Sequence, residues 1–124
     1  MQRNGMTGES KLRGLLGLAS RARNLLVGTE LCCDGVRSGK AHLVLVSFGA
    51  SANTKKRIFN CCTYYECELA EIPVSTEALG KCIGKKRAVS CVAVTDVHFT
   101  KGMKKILSNT VFNERKTDKR SSEV

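Results

Sequence analysis

Two runs of three cations, Lys55-Lys56-Arg57 and Lys85-Lys86-Arg87, hold the side chains of this sequence best suited to act on a partner. Ammonium and guanidinium groups bind phosphate, arginine often through two parallel hydrogen bonds. Arg37 and Lys40 form a third group, and Lys101, Lys104 and Lys105 a fourth. The first run follows Ser51, a good helix cap, so it falls in the first turns of a helix. Free amide groups there already attract anions. Cations in that place work against the helix dipole, which points to a use outside the helix. An ordinary solvated helix face is the plainer reading of the same residues.

The other reactive side chains read as structure. There are seven cysteines, an odd number, and they lie within apolar runs. Two pairs are adjacent, Cys32–Cys33 and Cys61–Cys62, rather than spaced as metal ligands. Neighbours on a helix point about 100° apart, so each pair is expected to give one core residue and one flank residue. Cys67, Cys82 and Cys91 stand isolated. Small buried thiols, with no metal and no cofactor, are the expectation. His42 and His98 have no Cys, Ser or Asp partner in sequence. Glu9 and Asp96 suit the starts of helices better than acid–base work. Neither the phosphate-loop pattern nor the dinucleotide fingerprint occurs, so the chain is expected to be non-catalytic and to take no small-molecule substrate.

The totals agree. With 21 Lys plus Arg against 11 Asp plus Glu, the formal net charge is +10 over 124 residues. A basic surface of that size attracts polyanions, nucleic acid first and anionic membrane as the rival. The length suits one domain. Hydrophobic residues make up 42% of the chain and aromatic residues only 5%, so the core must be aliphatic. No run approaches the roughly 18 apolar residues of a membrane span. The first residues, MQRNGMTGESK, lack the apolar centre of a signal peptide. A cytoplasmic monomer is expected, with reduced thiols.

Periodicity places these groups on elements. Leu12, Leu15, Leu16, Ala19 and Ala22 recur at helical spacing, widened by Leu18, in a helix opened by Glu9 or Ser10. Leu25–Val27 is a short strand ending at Gly28. Thr29 is expected to cap a second helix that closes on Gly39. Residues 42–47 form a central strand, apolar throughout and therefore covered on both faces. Ser51 caps a third helix whose core stripe is Ile58, Cys61, Cys62 and Tyr65. Residues 68–72 are a strand stopped by Pro73, and Ser75 caps a short helix. Residues 88–95 form the last strand and Asp96 starts the last helix. Residues 1–8 read as a flexible lead, 9–107 as the domain and 108–124 as a polar tail. The alternation predicts an α/β fold, a three-layer α/β/α sandwich around a small mixed sheet of about four strands. In that architecture helix starts and post-strand loops gather at one edge, so several cation groups are expected on one anion-binding rim.

The stretches LLGLASRARNLLVG (15–28), VRSGKAHLVLVS (36–47), ASANTKK (50–56), EALGKCIGKKR (77–87) and VAVTD (92–96) resemble the YlxQ-type branch of the kink-turn-binding ribosomal protein family. The resemblance spans about residues 11 to 107. It implies a small α/β/α protein that binds structured RNA, ribosomal RNA or another non-coding RNA. In the family, a second-helix motif G-x-N-E-x-x-K reads sheared G·A pairs of a bent RNA, and a hydrophobic loop before the last strand packs on the extruded nucleotide. Here Gly28 and Thr29 open the motif. Glu30 takes the Asn place, Leu31 the Glu place and Asp34 the Lys place. The loop holds Lys85, Lys86 and Arg87 instead of apolar residues. The implied contact set is Gly28, Thr29, Glu30, Arg37, Lys40, Lys55, Lys56, Lys85, Lys86 and Arg87, led by phosphate rather than by strict kink-turn reading. Loss of the reading residues also fits a protein-interaction module on the same fold, which is the alternative.

Overall fold

The computed structural model of the chain describes residues 8–108. Nine elements follow in order: α1 (Gly8–Arg21), β1 (Leu25–Val27), α2 (Thr29–Ser38), β2 (Leu43–Ser47), α3 (Ala52–Tyr64), β3 (Glu68–Ile72), α4 (Thr76–Cys82), β4 (Cys91–Val94) and α5 (Val97–Ser108). The strands form one mixed sheet in the order β1-β4-β2-β3. β2 and β3 run parallel, while β4 runs antiparallel to both β1 and β2. The expected lead and tail lie outside the described residues except for Gly8 and Ser108, which are helical.

Every residue of β2 and β4 is buried, because each face of the sheet carries its own core. On one face Leu12, Leu16 and Ala19 of α1, Leu79 of α4, and Met103 and Leu107 of α5 meet Leu43, Leu45, Val92 and Val94. On the other, Cys32, Cys33 and Val36 of α2 and Ile58 and Cys62 of α3 meet Val44, Val46, Cys91 and Ala93. Alternate strand residues thus point into opposite cores, as the pleat requires. The result is the expected three-layer arrangement.

Topology sorts the two ends of the sheet. At one end lie Gly28, Ser47–Ser51, Ile72–Ser75 and Ser90–Cys91. The backbone N–H of Gly28 donates to the Cys91 carbonyl, that of Ser47 to Ser90, and that of Phe48 to Ile72. The buried Ser47 hydroxyl closes this end, donating to the Val74 carbonyl at 2.5 Å and accepting from the Gly49 N–H. α2, α3 and α4 all start here. At the other end lie Lys40–His42, Glu68 and Asp96, where the His42 N–H donates to the Val94 carbonyl. The Ser51 and Ser75 hydroxyls accept from the N–H groups of Thr54 and Ala78, so both expected caps form. Asp96 caps α5 through the Phe99 N–H.

Some details differ from the periodicity. Thr29 is the first helical residue of α2, and Gly28 is the cap, at φ 100°, where a side chain would be strained. Leu18 and Ala22 are exposed, because α1 buries only a narrow arc between the sheet, α4 and α5. Tyr65 is 44% exposed: α3 stops at Tyr64 and Glu66 turns to φ 58°, which takes the end of the stripe off the core. β4 starts at Cys91 rather than at 88, since Ala88–Ser90 run as a loop held by Val89 N–H to the Thr76 carbonyl.

That loop is held tightly against α4. A Cβ on Gly80 would lie 2.0 Å from the Arg87 carbonyl oxygen, a backbone atom that cannot swing away. Gly80→Ala is therefore expected to destabilise the protein by about 1–3 kcal/mol, the usual range for forced overpacking. A urea melt checks it, and an unchanged midpoint would mean that the 84–90 loop does not pack on α4 this closely.

Candidate nucleic-acid interface

Most acidic side chains of the described residues are committed to a neighbouring cation. Glu9 pairs with Arg13 at 2.8 Å, Glu71 with Lys55 at 3.3 Å, Glu30 with Arg57 at 2.7 Å and Glu68 with Lys104 at 3.0 Å. Asp34 pairs with Arg37 one turn along α2. All five pairs are solvent-exposed, so they restrain side chains without contributing much stability. Lys56, Lys85, Lys86 and Arg87 are exposed and have no ion-pair partner among the described residues. They are the cations left for an outside partner at this end of the sheet.

The α2 start anchors the candidate site. Gly28 turns the chain off β1, and α2 and α3 pack side by side. The first turn of α2 meets α3 through Glu30 and Arg57. The Arg57 guanidinium, through a hydrogen bond and its charge, holds the Glu30 carboxyl below its usual range. The pair therefore persists at neutral pH, and its small contribution is lost only as pH falls through that depressed value. Glu30, Leu31 and Asp34 share the exposed face of α2. Thr29 sits lower, with its hydroxyl 3.9 Å from the Cys91 sulfur. The Lys85–Arg87 loop returns along α4 and enters β4 beside Gly28. Two strand spacings away, roughly 10 Å, Phe48 is 53% exposed in the β2–α3 turn.

The structure thus brings Gly28, Thr29, Glu30, Lys55 and Lys56 to the end of the sheet at which the 85–87 loop enters β4. It does not bring Arg37 and Lys40 there. They close α2 at the opposite end, which divides the expected single rim in two, because a helix linking β1 to β2 must cross the length of the sheet. Lys55 is half-turned toward β3 and occupied by Glu71. Phe48 had no signal beyond being the aromatic in a small-residue turn. Its exposure depends on β2 ending at Ser47.

The thiols do not contribute to this surface. Cys32 and Cys33 are both buried, contrary to one-in, one-out spacing, because α2 is covered by the sheet and by α3 together. Cys67 and Cys91, isolated in sequence, are paired in space: Cys32 adjoins Cys91, and Cys62 adjoins Cys67. All seven are free. The hydrogen bond with Cys91 and then burial push the Cys32 thiol far up. Burial, then the Cys61 thiol, push Cys33 up to about 11. Such thiols stay protonated and unreactive at neutral pH. Among the described residues no three His, Cys, Asp or Glu side chains could hold a metal ion, and no helix is long and apolar enough to cross a membrane.

Comparison with known proteins gives the surface a context. Residues 10–104 match the family described as ribosomal protein L7Ae/L30e/S12e/Gadd45. RNA-binding protein YlxQ of Bacillus subtilis is 42% identical over 85 residues, covering 68% of this chain and 83% of the relative. RNA-binding protein YlxQ of Enterococcus faecium is 37% identical over 97 residues, covering 78% and 91%. A solved structure of a protein of unknown function from Bacillus halodurans superposes with a TM-score of 0.73 at 33% identity, over 77% of this chain and 95% of that one. A 15.5 kD RNA binding protein of Giardia lamblia shares the fold, with a TM-score of 0.66 at 17% identity over 80% and 83%.

Glu30 is the one acid beside Gly28 on this face. Glu30→Gln removes a negative charge and releases Arg57, so it is expected to raise affinity for a polyanion a few-fold at low salt and to lose that gain at high salt. The unfolding midpoint should stay where it is, since the pair is exposed. A heparin-column elution series alongside a thermal melt reads both, and earlier elution of the variant would contradict this placement.

Proposed function

The chain belongs to the ribosomal protein L7Ae/L30e/S12e/Gadd45 family, and from that premise we propose that it is a non-catalytic RNA-binding protein whose contacts are led by phosphate. The observation that carries this reading is the Lys85-Lys86-Arg87 loop: three exposed cations without ion-pair partners among the described residues, held against α4 in the segment that leads into β4, whose first residue Cys91 lies beside Gly28. The relatives named RNA-binding protein YlxQ support it.

The chemistry of the edge favours a folded RNA. The Gly28 turn lets a phosphate or a base approach the α2 backbone without a Cβ in the way, and the helix start favours negative charge. Leu31 and Phe48 are exposed apolar groups at this end of the sheet, Phe48 suited to stacking on an unpaired base and Leu31 to packing against one. Side chains that would read sheared G·A pairs are replaced, and Asp34 is occupied by Arg37. Structured RNA, ribosomal RNA included, is then bound through its backbone and its open bases.

Titration against a kink-turn stem, the same stem without the turn, and ribosomal RNA, each at two salt concentrations, tests this. Comparable salt-sensitive binding to all three is expected. Lys85/Lys86/Arg87→Ala should weaken binding several-fold and lower the salt slope by about 1 for each phosphate contact removed. Tight selection of the kink-turn would mean that Glu30 and Leu31 read the G·A pairs after all. Absence of binding at low salt would replace the RNA reading with that of a protein-interaction module.

A further inference from the structure

The opposite end of the sheet carries a second basic surface. A groove of about 570 Å³ is lined by His42, Val97, Thr100, Lys101, Lys104, Lys105 and Ser108. Val97, Lys101, Lys104 and Ser108 recur at helical spacing, so one side of α5 forms one wall. His42, fixed at the start of β2 by its N–H to the Val94 carbonyl, forms the other. Lys101 and Lys105 have no ion-pair partner among the described residues, and Lys104 is shared with Glu68 at 3.0 Å. Of the other acids at this end, Asp96 accepts from the Phe99 N–H, and Glu66, just before β3, is not among the groove's lining residues. Lys40 and Arg37 leave α2 at this same end.

A second observation falls in the same place. Thr100 is 7% exposed, and its hydroxyl is the one buried side-chain polar atom among the described residues that has no hydrogen-bond partner. Its own N–H donates to the Asp96 carbonyl, as the helix requires. A buried hydroxyl without an acceptor is destabilising unless something supplies one. Threonine in a helix has two accessible χ1 rotamers, and Thr100 is itself one of the residues that line the groove. A donor flanked by ammonium groups and an imidazole is a phosphate-binding set.

We propose that this groove is a second RNA-phosphate site, so that the protein holds RNA at both ends of its sheet. The inference rests on the RNA reading given above. β2 has five residues, which separates the two ends by roughly 16 Å. A compact RNA meeting the α2 edge reaches the groove only if it extends past that edge. The groove therefore adds affinity for longer RNA alone.

The test uses the full chain and fluorescence anisotropy on two labelled RNAs. One is a minimal hairpin, and the other is the same hairpin extended by about 16 base pairs, the span of a double-stranded RNA domain. Four variants are compared: Lys101/Lys104/Lys105→Gln, Thr100→Val, Lys85/Lys86/Arg87→Ala, and a control removing equal charge from the α1–α4 face, Lys11/Arg13/Lys81→Gln. The α5 triple variant is expected to weaken binding of the extended RNA roughly ten-fold and lower its salt slope by about 1 per lost phosphate. On the minimal hairpin it should match the control. Thr100→Val should weaken the extended RNA a few-fold with no loss of thermal stability, which separates a binding role from a folding defect. Equal effects of the α5 and control variants, or equal losses on both RNAs, would overturn the groove. If the Lys85/Lys86/Arg87→Ala variant loses both RNAs while the α5 variant behaves as the control, the RNA function stands and the second site falls. If the unaltered protein binds neither RNA, both fall.

Discussion

Burial of β2 and β4 on both faces is the constraint from which the rest follows. Leu43, Leu45, Val92 and Val94 need one apolar layer, and Val44, Val46, Cys91 and Ala93 need another. Each large aliphatic side chain so buried contributes roughly 1.5–3 kcal/mol. No single layer of helices can satisfy both sets. The chain therefore crosses from one face to the other, with α1, α4 and α5 on the first and α2 and α3 on the second. A helix that links two parallel strands, as α2 links β1 to β2, must begin at one end and finish at the other. The ends consequently acquire different characters: helix starts and the β4 entry loop at one, the end of α2 and the start of α5 at the other.

That division also arranges the charge. The excess of cations is not spread evenly, because the acids consume particular partners. Glu30 takes Arg57, Glu71 takes Lys55, and Asp34 takes Arg37. What is left at the first end is the 85–87 loop with Lys56, beside three helix starts. At the second end it is Lys101 and Lys105 beside His42. Because the pairs are exposed and weak, a phosphate can compete for the same cations. Exposed cations without an ion pair among the described residues thus stand at both ends of the sheet.

The cysteines show how a chemically suggestive residue can be absorbed by packing. Six of the seven line the α2–α3 core, where Cys32 meets Cys91 and Cys62 meets Cys67. Thiols are small, and α2 and the sheet approach closely there: a Cβ on Gly35 would lie 2.4 Å from the Leu26 side chain. Hydrogen bonds with Cys91 and Cys67, then burial, raise the proton affinity of Cys32 and Cys62, and burial raises that of Cys33, which leaves the surface cations as the groups able to meet a partner.

Much of this was legible in the residues. The apolar runs 43–46 and 88–95, though not where the second begins as a strand, the Ser51, Ser75 and Asp96 caps and the Gly39 stop are local signals, and local chemistry decides them. The α/β/α class follows from their alternation. Which cations act together was not legible. Arg37 and Lys40 lie nearer in sequence to Gly28 than the 85–87 loop does, yet they sit at the far end of the sheet, while the loop returns beside Gly28 through the pairing of β1 with β4. The exposure of Phe48, the Glu30–Arg57 pair, the paired thiols and the unpartnered Thr100 hydroxyl depend on contacts between residues far apart in the chain. Periodicity tells a residue which face of its own element it occupies. Only the packing of one element on another tells it what it faces, and that is where the candidate surface of this protein is made.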